Sequence, residues 1–278
     1  MRWTAGDRGN IQDMRGRSSG MRVGSLGVGG LLVALVLSWV TGVDFLSLLS
    51  GGSQPETVGT SGQPVDASPQ EERMVDFVDA VTNDAQDTWA KLMGGRYRRT
   101  QVVVFRDAIQ SACGSASAAT GPFYCPGDQK VYLDLGFFEE LDKRFGAPGD
   151  FAQAYVITHE IGHHVQNLLG LGVGAPSRSG ANSASVAIEL QADCFSGVWG
   201  HAASASGRFE AGHVQLEPGD ADEAIRAAGA IGDDRLQKMA SGRVMPDRFT
   251  HGTSAQRVEA FKQGFDSGDP RACENAGR

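Results

Sequence analysis

The sequence is short of cysteine, and none of its four, Cys113, Cys125, Cys194 and Cys273, forms a Cys-x-x-Cys pair. That argues against a thiolate zinc site and against a redox motif. Positive charge is short as well: 25 Lys and Arg stand against 33 Asp and Glu, a formal charge of −8. Residues 1–22 hold five Arg and two Asp, so everything after them carries −11. So acidic a body has no basic track for phosphates, and nucleic acid is set aside as a partner. No internal repeat is visible. The 278 residues, 41% apolar, suffice for one sizeable core with appendages and are too few for two ordinary ones.

Charge of either sign is missing from the 21 positions between Arg22 and Asp44, where Leu31 to Leu37 is continuously apolar. At helical rise such a stretch spans about 30 Å, one hydrocarbon core. It is longer than the apolar region of a cleaved signal peptide and lacks a convincing Ala-x-Ala after it, so an uncleaved anchor over 23–43 is expected. The positive-inside rule then keeps residues 1–22 in the cytoplasm and sends the rest across, giving a single-pass protein of the cell membrane. Residues 44–70, rich in Gly, Ser, Thr and Pro without apolar periodicity, read as a flexible linker. The globular domain is expected over 71–278.

Within that domain, Met74, Phe77, Val78, Val81, Ala85 and Trp89 recur at helical spacing up to Gly94-Gly95. Gln101–Phe105 and Lys130–Leu135 read as strands, Gly136–Phe145 as a short helix. Asp150 with Gln153 resembles a capping box, and Gly170 is a stop, which places a helix over 151–169. Further helices are expected at 183–203, 220–240 and 253–264. In an extracytoplasmic domain four cysteines favour two disulfides. Of three pairings, Cys113 with Cys125 is favoured because both lie in one loop region, leaving Cys194 with Cys273; four buried thiols are the alternative.

His159-Glu160-Ile161-Gly162-His163 falls in the middle of the best-bounded helix. Residues four apart share a helix face, so His159 and His163 can offer two imidazoles to one ion, with Glu160 beside a water on it. A catalytic site then needs a third protein ligand and an open position. Glu189 and Asp193, themselves four apart among apolar neighbours, meet that need: Glu189 as ligand and Asp193 as acceptor for a ligand histidine, with Asp193 as ligand in the alternative. His164 sits about 100° around the helix from His163 and reads as a packing or hydrogen-bonding residue. His201 and His213 read as solvated or structural. His251, in the loop Pro246–Ser254, and Arg257 just beyond offer donors that could stabilise an oxyanion opposite the metal; an ordinary helix-start loop is the plainer reading.

The segments Cys113-Gly114-Ser115-Ala116, Gly121 to Pro126, Tyr132-Leu133-Asp134, His159 to Gln166, Glu189 to Cys194 and Thr250 to Ser254 together resemble the bacterial putative neutral zinc metallopeptidases. The resemblance runs from about residue 70 to the C-terminus and extends to the Arg-rich start and single anchor. It implies a membrane-anchored zincin with a Glu third ligand, similar in that pattern to thermolysin and to Ste24-type proteases. The reading is then an α+β, mostly helical zincin-like domain with a small sheet, whose edge near Val131–Leu135 could hold a peptide by strand addition. One Zn²⁺ sits on His159, His163 and Glu189, Glu160 is general base, and the partner is a peptide or protein substrate. Two competing classes share these residues: a membrane-anchored binding or scaffold protein with a structural or inactive zinc site, and a hydrolase of non-peptide amides in the cell envelope. Nitrogen and carboxylate ligands also leave the metal open in principle.

Overall fold

The computed structural model describes residues 1–16, 65–117, 120–171, 180–205 and 212–276. The span expected at 23–43 and most of the linker lie outside these. Among the described residues no helix is long and apolar enough to cross a membrane.

The fold is mixed α+β, mostly helical. In chain order it contains β1 (Arg2–Trp3), β2 (Ile11–Asp13), α1 (Pro69–Met93), β3 (Val102–Phe105), β4 (Ala108–Ser111), β5 (Gly114–Ser117), β6 (Phe123–Cys125), β7 (Lys130–Asp134) and α2 (Gly136–Lys143). Then follow α3 (Asp150–Leu169), α4 (Ala184–Ser204), β8 (Val214–Gln215), α5 (Asp220–Ala230), α6 (Asp233–Ser241) and α7 (Ser254–Ser267). The main sheet has the order β2-β3-β7-β6, with β2 and β7 parallel to β3 and β6 antiparallel to β7. Its strand β3 is buried along its whole length, as its unbroken Val-Val-Val-Phe run requires. The helices α1, α3, α4 and α7 pack around one core that includes Trp89, Phe151, Tyr155, Phe195, Trp199 and Phe261.

The helix α3 starts one residue before its expected bound and stops at Gly170, whose φ of 71° is the left-handed conformation glycine adopts cheaply. Its N-cap is Gly149, so the expected capping box at Asp150 is not formed; the Asp150 carboxylate instead faces the ammonium of Met1 at 3.5 Å. The capping box is at α7, where Thr253 and Gln256 satisfy each other's backbone. The helix expected over 220–240 is two helices, broken at Ile231-Gly232, because Gly232 lies against the backbone and hydroxyl of Ser254, leaving no room for a side chain.

Two more expectations are corrected, and one hairpin is added to them. The strand at 130–134 is interior, between β3 and β6, so the open edge on that side of the sheet belongs to β6. The hairpin β4–β5 has a glycine, alanine and serine composition that gave no strand signal. The largest difference concerns domain limits: Met1–Arg15 joins Val65–Arg278 in one compact unit instead of standing apart from a domain that begins at 71. Its strand β1 pairs with β8, and β2 is an edge of the main sheet. Both disulfides are present, Cys113–Cys125 tying the hairpin to β6 and Cys194–Cys273 tying α4 to the C-terminal turn at Pro270–Asn275.

Candidate metal centre

His159 and His163 lie one turn apart on α3, with ring centroids 4.8 Å apart, and both turn toward Glu189 on α4. His159 Nε2 is 3.2 Å from one Glu189 oxygen, and His163 Nε2 is 3.6 Å from the other. Ligand atoms of the three residues all fall within 4.8 Å of one another. Two ligands held about 2.05 Å from a tetrahedral ion stand roughly 3.3–3.4 Å apart. The two observed separations bracket that value, and the ligand atoms of all three residues cluster closely enough to share one ion.

The outer nitrogen of each imidazole is committed elsewhere. His159 Nδ1 donates to Asp193 Oδ1 at 2.7 Å, and His163 Nδ1 donates to Gln166 Oε1 at 2.8 Å. Each bond fixes a tautomer that leaves Nε2 free to face Glu189. Gln166 is held in turn by its amide, which donates to Ile188 O at 2.7 Å and Gln191 Oε1 at 3.0 Å across the α3–α4 interface.

Asp193 is fully buried and collects four donors: Tyr155 Oη at 2.5 Å, His159 Nδ1, and Arg257 through Nε and Nη2, both at 2.9 Å. Burial works against its charge, but Arg257 and then His159 hold its carboxyl down to about 2. Burial likewise opposes charge on His159, yet Asp193, with further help from Glu189, raises it to about 10 when no ion is present. Glu189 is kept well below the usual carboxylate range, against its burial, by the two histidines.

Arg257 is therefore placed behind His159, on Asp193, where the sequence reading put it opposite the metal. Its remaining bonds go to Tyr155 Oη at 3.1 Å and Ile231 O at 3.4 Å, so its nitrogens are spent inside the fold. His251 is half exposed and lines the same cleft as the trio. Its loop is held by Asp233, whose Oδ2 accepts the backbone N–H groups of Thr250, His251 and Gly252, while Oδ1 lies 3.2 Å from His251 Nδ1. His164 is buried away from the trio: Nε2 donates to Arg98 O at 2.6 Å and Nδ1 accepts from Tyr124 Oη at 3.0 Å. His201 reaches Phe265 O and His213 reaches Asp87. Among the described residues, no fourth His, Cys, Asp or Glu joins the trio.

Tyr155, Gln166 and Asp233 carry the site without having been assigned a role from sequence. Tyr155 precedes His159 by four residues and Gln166 follows His163 by three, so helical spacing alone placed both on the right face. Asp233 offered no such signal, since its partners are about twenty residues away.

Glycine sets the closeness of the two site helices. A Cβ on Gly162 would lie 3.0 Å from Ala192 O and 3.2 Å from Ala192 Cα. Both are backbone atoms of α4 and have nowhere to go. Gly162→Ala is accordingly expected to push α3 and α4 apart at the metal trio, lowering stability by about 1–3 kcal/mol and weakening zinc binding; thermal melts and competition with a chromophoric chelator would measure both.

Glu160 lies beside the trio, 7% exposed, in a cleft of about 1030 Å³. Two imidazoles and one carboxylate on adjoining helices, with the Glu160 carboxylate lining the same cleft, make a donor set that suits zinc. The chain belongs to the family described as "Putative neutral zinc metallopeptidase", whose model matches residues 1–276. It is 42% identical over 296 aligned residues to Uncharacterized protein YpfJ of Escherichia coli (strain K12), covering all of this chain and 99% of that protein. It is 44% identical over 200 residues to Uncharacterized protein Rv2575 of Mycobacterium tuberculosis (strain ATCC 25618 / H37Rv), covering 70% of this chain and 68% of that protein. No solved structure matches it significantly.

Proposed function

We propose that this chain is a zinc-dependent peptidase of zincin-like fold, with one Zn²⁺ held by His159, His163 and Glu189 and with Glu160 as general base. The observation that carries the reading is that His159 Nε2 and His163 Nε2 lie 3.2 Å and 3.6 Å from the Glu189 carboxylate, with one ligand atom from each of the three residues within 4.8 Å of the others. When bound, such an ion polarises a carbonyl oxygen and acidifies water. Glu160 takes a proton from the attacking water and delivers it to the nitrogen of the leaving amine, so that one C–N bond breaks as one C–O bond forms. His251, aligned by Asp233 and facing the same cleft, supplies a donor to the oxygen that gains charge. Arg257 acts through Asp193 as a positioning residue for His159.

The substrate reading follows from the cleft walls. Phe123, Phe137, Phe145, Val156, Ile188 and Leu236 line it, which suits a peptide with large apolar side chains near the scissile bond. The strand β6 contributes Phe123 and Tyr124 and has a free edge, so an extended peptide can add to it as a further strand. Two disulfides support a setting in an oxidising compartment.

Incubating the purified full chain with a peptide library, with and without chelator, tests the reading: cleavage should need the metal and favour apolar residues at the scissile bond. Cleavage indifferent to chelator, or none in the zinc-loaded protein, would count against it. For His251→Ala the expectation is a fall in kcat of about 10–10² with zinc content and KM little changed, measured by steady-state kinetics on the best library peptide.

A further inference from the structure

The N-terminal residues give a result that the charge pattern alone did not. We infer that Met1–Arg15 and the metal domain fold together in one compartment, on the same side of any membrane. Neighbouring strands lie about 4.8 Å apart, whereas a bilayer core is about 30 Å thick. Residues paired in one sheet therefore cannot stand on opposite faces of a membrane.

The pairing is extensive. Ile11, Gln12 and Asp13 align with Val102, Val103 and Val104, Met14 N–H donates to Val104 O at 2.8 Å, and Val102 N–H donates to Asn10 O at 2.8 Å. At the other end Arg2 and Trp3 align with Gln215 and Val214. Asp79 of α1 is 1% exposed, and its carboxylate accepts the backbone N–H of Arg8 at 2.9 Å and of Asn10 at 3.4 Å. A carboxylate so buried needs those partners. Gly6 crosses directly over it: a Cβ there would lie 2.5 Å from Asp79 Oδ2. Gln86 joins the same network, donating to Asn10 Oδ1 at 2.8 Å while accepting from Thr100 N–H at 2.7 Å.

Two of the five arginines in residues 1–22 are committed within the fold. Arg8 pairs with Glu72 at 2.6 Å and Asp76 at 2.7 Å, and Arg15 pairs with Asp13 at 2.6 Å and Glu72 at 2.7 Å. Their charges are matched by α1 and by the arm itself, so they are structural cations and not free to act as a cytoplasmic retention signal. Taken with the two disulfides, the shared compartment is an oxidising one, and the arm lies there with the domain.

The test uses the full chain in its native membrane fraction, whose four cysteines are all in disulfides. Single variants Ala5→Cys, on the arm, and Lys262→Cys, on α7, both at exposed positions, are treated with a membrane-impermeant maleimide before and after permeabilisation. Equal labelling of the two positions before permeabilisation, both reactive or both protected until the membrane is opened, supports one compartment. Protection of one position where the other is labelled overturns it. A second variant, Gly6→Val, drives a side chain into Asp79 and should lower the melting temperature of the purified full chain by roughly 3–8 °C; an unchanged melt would mean that the arm is not docked. Neither readout depends on zinc or on catalysis, so failure here leaves the peptidase reading standing, and the converse also holds.

Discussion

Glu160→Gln should bind one zinc ion as the parent does and hydrolyse peptide about 10²–10⁴-fold more slowly, or not measurably. The substitution keeps the shape of a nearly buried side chain that lies beside the metal trio but is not part of it. What it removes is the ability to accept a proton from water and to return it to the departing amine. Metal content by mass spectrometry and kcat on a fluorogenic peptide separate the two effects, with near-ultraviolet circular dichroism as the check on folding. Undiminished turnover in a zinc-replete variant would end the role given to this carboxylate. Loss of zinc together with activity would instead make Glu160 a structural member of the site.

The legible part of the site was local. Helical spacing placed His159, Glu160 and His163 on α3, Gly170 marked its end, and Glu189 with Asp193 fell on one face of α4. Each of those inferences needs only 3.6 residues per turn and a cap. What escaped depends on contacts distant in the chain. Arg257 read as an oxyanion donor because nothing near it in sequence reveals that its fork closes on Asp193, 64 residues earlier. The break between α5 and α6 is fixed by the approach of Gly232 to Ser254. The arm at Met1–Arg15 forms strands of two and three residues, too short for periodicity, which exist only because β3 and β8 are there to pair with them. Two of its arginines, Arg8 and Arg15, are ion-pair partners for α1, which charge counting alone does not reveal.

Removing Asp193 should have the largest effect on folding of any single change at the centre. Asp193→Ala strips the fully buried carboxylate from Arg257, which is itself only 4% exposed, and leaves a guanidinium without its counter-charge. Breaking one side of such a pair costs about 3–5 kcal/mol, a large share of the roughly 5–15 kcal/mol that holds a domain together. The same change frees His159 Nδ1, so zinc affinity should fall by about 10–100-fold even in molecules that remain folded. The two consequences separate in Asp193→Ala/Arg257→Met, which deletes both charges. That double variant should regain much of the stability while its zinc affinity stays low, because His159 still lacks its acceptor. The sign with pH is set by the lowered carboxyl: the pair's contribution is whole above about 3.8, the ordinary value, and drains away as pH falls toward about 2. Denaturant melts of the parent, both single variants and the double variant from pH 7 down to pH 3, with zinc titrations at pH 7, decide the matter. A single variant as stable as the parent would show that the Asp193–Arg257 pair carries no stability, and full zinc affinity in the double variant would show that Asp193 does not orient His159.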